Sequence, residues 1–73
     1  KLTKGMDLIE FEENIRDAFI NLEYVKKIDV IKRNPISLKI IINLKQNYSL
    51  SVFYNQTFYI ISFTLLYKNK RDY

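Results

Sequence analysis

Apolar residues recur at three- and four-residue steps in the first third of the chain: Leu8, Phe11, Ile15, Ala18, Phe19 and Leu22. That spacing follows the turn of an α-helix and draws one apolar stripe along it. Glu10, Glu13, Asp17 and Asn21 fall on the opposite side, and Ile9 and Ile20 share one flank. Asp7 stands where an N-cap is needed, with Glu10 three residues on, the spacing of a capping box. The pattern predicts a helix over 8–23 whose stripe faces a core.

After the helix the period changes to two. Ile36, Leu38, Ile40, Ile42 and Leu44 alternate with Ser37, Lys39, Ile41, Asn43 and Lys45, as in a half-buried strand. Tyr48, Leu50, Val52 and Tyr54 mark another strand, and Tyr59, Ile61, Phe63, Leu65 and Tyr67 a further one. A weaker strand runs through Ile28 and Val30 and turns at Asn34-Pro35. Facing then constrains the turns, because a one-residue slip sends every side chain to the wrong side. A three-residue turn at Lys45-Gln46-Asn47 sets Ile42 opposite Leu50 and Ile40 opposite Val52, with Asn47 suited to a left-handed position. A two-residue turn at Asn55-Gln56 sets Val52 opposite Tyr59, Leu50 opposite Ile61 and Tyr48 opposite Phe63. A three-residue turn at Arg33-Asn34-Pro35 sets Val30 opposite Leu38 and Ile28 opposite Ile40. All three turns bring the apolar sets to one face. The expected fold is therefore α+β: one N-terminal helix packed on a four-stranded antiparallel β-meander, its stripe covering the shared face, in a single domain over 1–73. Residues 1–6 are expected to lie outside the packed part, with 1–5 a remnant ahead of Met6.

The same register predicts the reverse face. Asp29 pairs with Lys39, Lys39 with Phe53 and Phe53 with Phe58, while Ile41, Ser51 and Ile60 line up one rung along. Ile41, Phe53, Phe58 and Ile60 are thus expected to form an apolar patch where a sheet should meet water, and a contiguous patch marks an interface. The last strand is long and apolar, and as a sheet edge it invites pairing.

Composition removes most catalytic chemistry. There is no Cys and no His, so thiol nucleophiles, disulfides, thiolate metal sites and the usual general base are excluded. Gly5 is the only glycine, which rules out a Gly-rich phosphate loop. Glu10, Glu13 and Asp17 share a helix face that is read as solvated rather than as a site for a hard cation. No catalytic residues, metal site or cofactor are expected. Residues 46–67 are uncharged and long enough to span a bilayer. The polar residues Gln46, Asn47, Ser49, Ser51, Asn55, Gln56, Ser62 and Thr64 argue instead for a sheet. With no signal peptide in view and no cysteine, a cytoplasmic location is expected.

Charge is segregated. Six of the eight acidic residues lie between Asp7 and Glu23, opposed there only by Arg16, while the chain as a whole carries +4. From Tyr24 onward Lys and Arg dominate. Arg33, Lys39, Lys45, Lys68, Lys70 and Arg71, interleaved with aromatics such as Phe53, make a candidate track for single-stranded nucleic acid. The same basic surface suits an acidic partner protein.

The helix run Phe11-Glu12-Glu13-Asn14-Ile15-Arg16-Asp17-Ala18-Phe19, the strands Ser37-Leu38-Lys39-Ile40-Ile41-Ile42-Asn43-Leu44 and Tyr48-Ser49-Leu50-Ser51-Val52-Phe53-Tyr54, and the closing run Ile61-Ser62-Phe63-Thr64-Leu65-Leu66-Tyr67-Lys68-Asn69-Lys70-Arg71 together resemble the TumE-like proteins. These are small prokaryotic proteins grouped with toxin–antitoxin systems. The likeness extends over most of the chain and rests on strand pattern. In that family the strand matching 61–67 is followed by an Asp-Asn element and a His-containing segment. This chain reaches Tyr73 before either, so the resemblance implies a fragment of the family pattern and transfers no functional residue. A missing C-terminal segment would also cover the apolar patch. The functional expectation is a toxin-like interaction module that forms a homodimer or binds a partner protein such as an antitoxin, with single-stranded RNA binding as the alternative.

Overall fold

A computed structural model describes residues 6–68 of the chain. The architecture is α+β: α1 (Leu8–Phe19) precedes β1 (Val25–Arg33), β2 (Ser37–Leu44), β3 (Tyr48–Asn55) and β4 (Ile60–Tyr67). The strands form one antiparallel meander in the order β1-β2-β3-β4, and α1 packs on β2. The helix starts where its cap demands, with Asp7 Oδ1 accepting the Glu10 N–H at 2.8 Å. It ends at Phe19, a turn earlier than the periodicity predicts. Leu22 N–H turns back to the Phe19 carbonyl and Val25 N–H to Leu22, which reverses the chain so that Val25 can enter the sheet.

The core is the two-sided contact of stripe and sheet. Phe11 and Ile15 from α1 meet Ile28, Leu38, Ile40, Ile42, Val52 and Tyr54, all buried. Phe11 and Tyr54 stack with ring centroids 4.4 Å apart, and the Tyr54 hydroxyl donates to the Met6 carbonyl, tying the helix start to β3. On the other flank Glu12 accepts from Arg33 Nη2 at 2.7 Å and from Arg16 Nε at 3.2 Å, tying α1 to β1. Arg33 therefore points to the helix side of the sheet.

The β2–β3 register is the expected one, Ile42 against Leu50 and Ile40 against Val52, closed by Lys45–Asn47. Gln46 joins Asn47 in the left-handed region (φ 63° and 67°). The β1–β2 turn lies one residue further on than expected and the β3–β4 turn is longer, and each shifts its register. Between β1 and β2, Asn34 Oδ1 accepts the N–H groups of Ile36 and Ser37 and the Ser37 hydroxyl, so the turn runs one residue further and Arg33 pairs with Leu38. That pairing alone would put Val30 on the wrong face. A bulge at Ile31 restores it, giving Val30 opposite Ile40, Ile28 opposite Ile42 and Asp29 opposite Ile41 rather than Lys39. A second irregularity at Lys26 brings Val25 opposite Leu44, beside the core.

Between β3 and β4 the loop is Gln56–Tyr59, with Asn55 Oδ1 accepting the Phe58 N–H at 2.9 Å and Tyr59 at φ 57°. Val52 then faces Phe63, Leu50 faces Leu65 and Tyr48 faces Tyr67, four positions along from the expected pairs. The slip is even, so the facing survives. It is favoured because it pairs all of β4 with β3, whereas the shorter turn leaves 64–67 unpaired.

A left-handed conformation costs a non-glycine residue about 1–2 kcal/mol, against roughly 0.5–1 kcal/mol for glycine's extra chain entropy. Gln46→Gly is thus expected to raise the unfolding free energy by about 0.5–1 kcal/mol, read as a higher urea midpoint at unchanged slope.

Candidate functional site

One helix cannot shelter four strands. A helix is about 10 Å across and strands lie about 4.8 Å apart, so α1 protects two or three of them. The glutamate–arginine tie draws it toward β1, and the Phe11–Tyr54 stack ends its reach at β3. Exposure changes sharply across that boundary. On β3, Val52 is 0% exposed and Tyr54 2%, whereas their neighbours on the same face of β4, Phe63 and Ile61, are 56% and 47% exposed. Leu65 and Tyr67 continue the row at 62% and 60%. The apolar row expected to lie beneath the helix is instead an open strip on the helix side of the β4 edge.

The strip leads into a cavity of about 440 Å³ lined by Tyr24, Leu44, Tyr48 and Leu65, with Lys45 and Gln46 at its rim. Tyr48 of this lining stands opposite Tyr67 with centroids 4.9 Å apart, and the β2–β3 turn contributes Lys45 and Gln46. The lining is mostly apolar, with Tyr24, Tyr48, Lys45 and Gln46 as its polar-tipped members. Such a lining binds by burying area and orients by a few polar contacts. It has no acid–base pair, and among the described residues no three Asp or Glu side chains converge on a metal-sized site, those of the α1 acidic face included.

The four residues of the anticipated reverse-face patch are not brought together as expected. Ile41 and Phe53 are half-buried on that face, on adjacent rungs. Phe53 faces Ser62, not Phe58, and Ser51 faces Thr64, not Ile60. Phe58 sits exposed in the loop after β3, and Ile60 begins β4 opposite Asn55. Longer turn chemistry thus interleaves serine and threonine where the shorter turn stacks apolar side chains.

The basic residues are also divided. Arg33 is engaged by Glu12 on the helix side, and Lys39 is exposed on the reverse side beside Phe53. Lys45 rims the cavity, and Lys68 lines a smaller one of about 260 Å³ with Lys26, Asn47 and Ser49. Lys70 and Arg71 lie outside the described residues. Asp29 accepts from Asn43 Nδ2 at 3.0 Å and lies 3.8 Å from Lys27 Nζ.

Residues 46–67, the uncharged run, form β3 and β4, and among the described residues no helix is long and apolar enough to cross a membrane. Comparison with protein-family models, with curated proteins and with solved structures finds no match to this chain.

An apolar dye such as bis-ANS is expected to bind the folded protein and fluoresce, and Leu65→Ser, in the cavity wall, to cut that emission by about half or more. Equal emission from both proteins would place the dye-accessible surface elsewhere.

Proposed function

We propose that this chain is a protein-interaction module and that the helix side of β4 is the surface its partner covers. One observation carries the reading: Ile61, Phe63, Leu65 and Tyr67 form a continuous apolar row, about half exposed or more, on the face where Val52 and Tyr54 are buried one strand away. A folded chain gains by burying such a row, and a polypeptide laid over β4 beside α1 does so. The α1 flank turned toward β4 supports this. Glu12 marks the β1 flank, and at 100° per residue Asn14 and Ala18 fall on the other, where small side chains leave room for a neighbour. The TumE-like resemblance adds the class of partner, a neutralising antitoxin polypeptide, and makes the module toxin-like. Single-stranded nucleic acid draws less support, since Arg33 is held by Glu12 and Lys39 and Lys45 border different faces.

The double substitution Phe63→Ser with Leu65→Ser separates an interface from a core. It is expected to change the unfolding free energy by less than about 1 kcal/mol, whereas Ile40→Ala, at a fully buried position, should cost roughly 2–5 kcal/mol. Peptides selected by display on the wild-type domain should lose about tenfold or more in affinity for the double variant, a loss of about 1.4 kcal/mol. A core-like loss of stability, or peptides that bind both proteins alike, would overturn the reading.

A further inference from the structure

The two edges of the sheet are built in opposite ways. Five of the nine residues of β1 are charged, and two register irregularities interrupt its pairing with β2. Charges and bulges are the devices by which an edge strand is kept from pairing with another chain. β4 has neither. Its eight residues include no charge, no proline and no glycine, and its register with β3 runs unbroken from Ile60 to Tyr67. Among the described residues no strand lies beyond it, so the outward backbone groups of β4 have no strand partner there.

We propose that β4 pairs with β4 of a second copy, antiparallel about a twofold axis at Thr64, to give one continuous eight-stranded sheet. The choice of a second copy rests on self-complementarity. An uncharged strand opposes itself without setting like charges across the ladder. The axis at Thr64 places Phe63 opposite Leu65 and Ile61 opposite Tyr67 of the other copy, apolar against apolar on the helix side. Thr64 meets Thr64 on the reverse side. Antiparallel pairing also sends the two Lys68 residues to opposite ends of the ladder, each across from Ile60. The assembly then closes, because among the described residues the edges left are the two charged, bulged β1 strands, and growth stops at two copies. The pairing uses the edge of β4 and leaves the face of its apolar row open, so it stands or falls separately from the interaction surface proposed above.

Sedimentation velocity of the full chain from low to high micromolar concentration tests it. Wild type is expected to reach twice the 8.8 kDa chain mass. Thr64→Lys and Thr64→Glu lie on the solvent face, away from the core. Each is expected to weaken self-association about tenfold or more, by like-charge opposition, while circular dichroism, and the unfolding midpoint read at a concentration low enough to keep every protein at chain mass, stay at wild-type values. An equimolar mixture of the two should return to the doubled mass, since Lys then meets Glu. Wild type that stays at chain mass overturns the proposal, as does assembly beyond two copies. So does a mixture that fails to recombine. Dimers that survive both Thr64 variants but dissociate in the Phe63→Ser, Leu65→Ser protein would reject edge pairing while leaving the apolar strip as an interface.

Discussion

The width of one helix against the width of four strands is the constraint on which the rest of this molecule depends. α1 is held at both flanks, by Glu12 to Arg33 on β1 and by Phe11 to Tyr54 on β3. Those two ties centre it over β2 and fix the limit of the dry region. Leu38, Ile40, Ile42, Val52 and Tyr54 within that limit are packed to near-zero exposure, and Ile61, Phe63, Leu65 and Tyr67 past it on the same face remain open however apolar their sequence. The strip on β4 is therefore a consequence of geometry as well as of composition: among the described residues no second element lies over that strand.

Side-chain polarity fixes the facing of each strand, while local turn chemistry fixes its register. The two are separable because facing depends only on whether a slip is odd or even. Asn55 lengthens its loop and slides β4 by four positions without turning any residue over. Asn34 moves the β1–β2 turn one residue on so that the hairpin closes out of phase, and the bulge at Ile31 restores the phase before Val30. Asparagine side chains accepting backbone N–H groups thus stand in for the glycines that this chain lacks.

The fold was legible for these reasons. The helical stripe, the period-two strands and the Lys45–Asn47 turn each carry a strong local signal, and the central register from Leu38 to Leu50 follows from them. The site was not. Alternation says that Phe63 and Leu65 share a face with Val52, but it does not say how far across that face a helix reaches. A comparison of one six-residue stripe with apolar rows on four strands holds the clue, since the rows outnumber what a single stripe can cover. The reverse-face cluster of Ile41, Phe53, Phe58 and Ile60 depended on the shorter β3–β4 turn, and a hydrogen bond from Phe58 to Asn55 is too local an event to read from hydrophobic pattern. The pairing of Arg33 was hidden for a similar reason: its partner Glu12 lies 21 positions away.

The bond from the Tyr54 hydroxyl to the Met6 carbonyl joins positions 48 apart, nearly the full reach of the fold. Each hairpin of the meander, by contrast, closes over a handful of residues and has little loop entropy to overcome. During synthesis α1 leaves the ribosome before the sheet, and the aromatic platform that receives it emerges only when β3 does. The acidic helix, though made ahead of the sheet, therefore settles only after its third strand is in place.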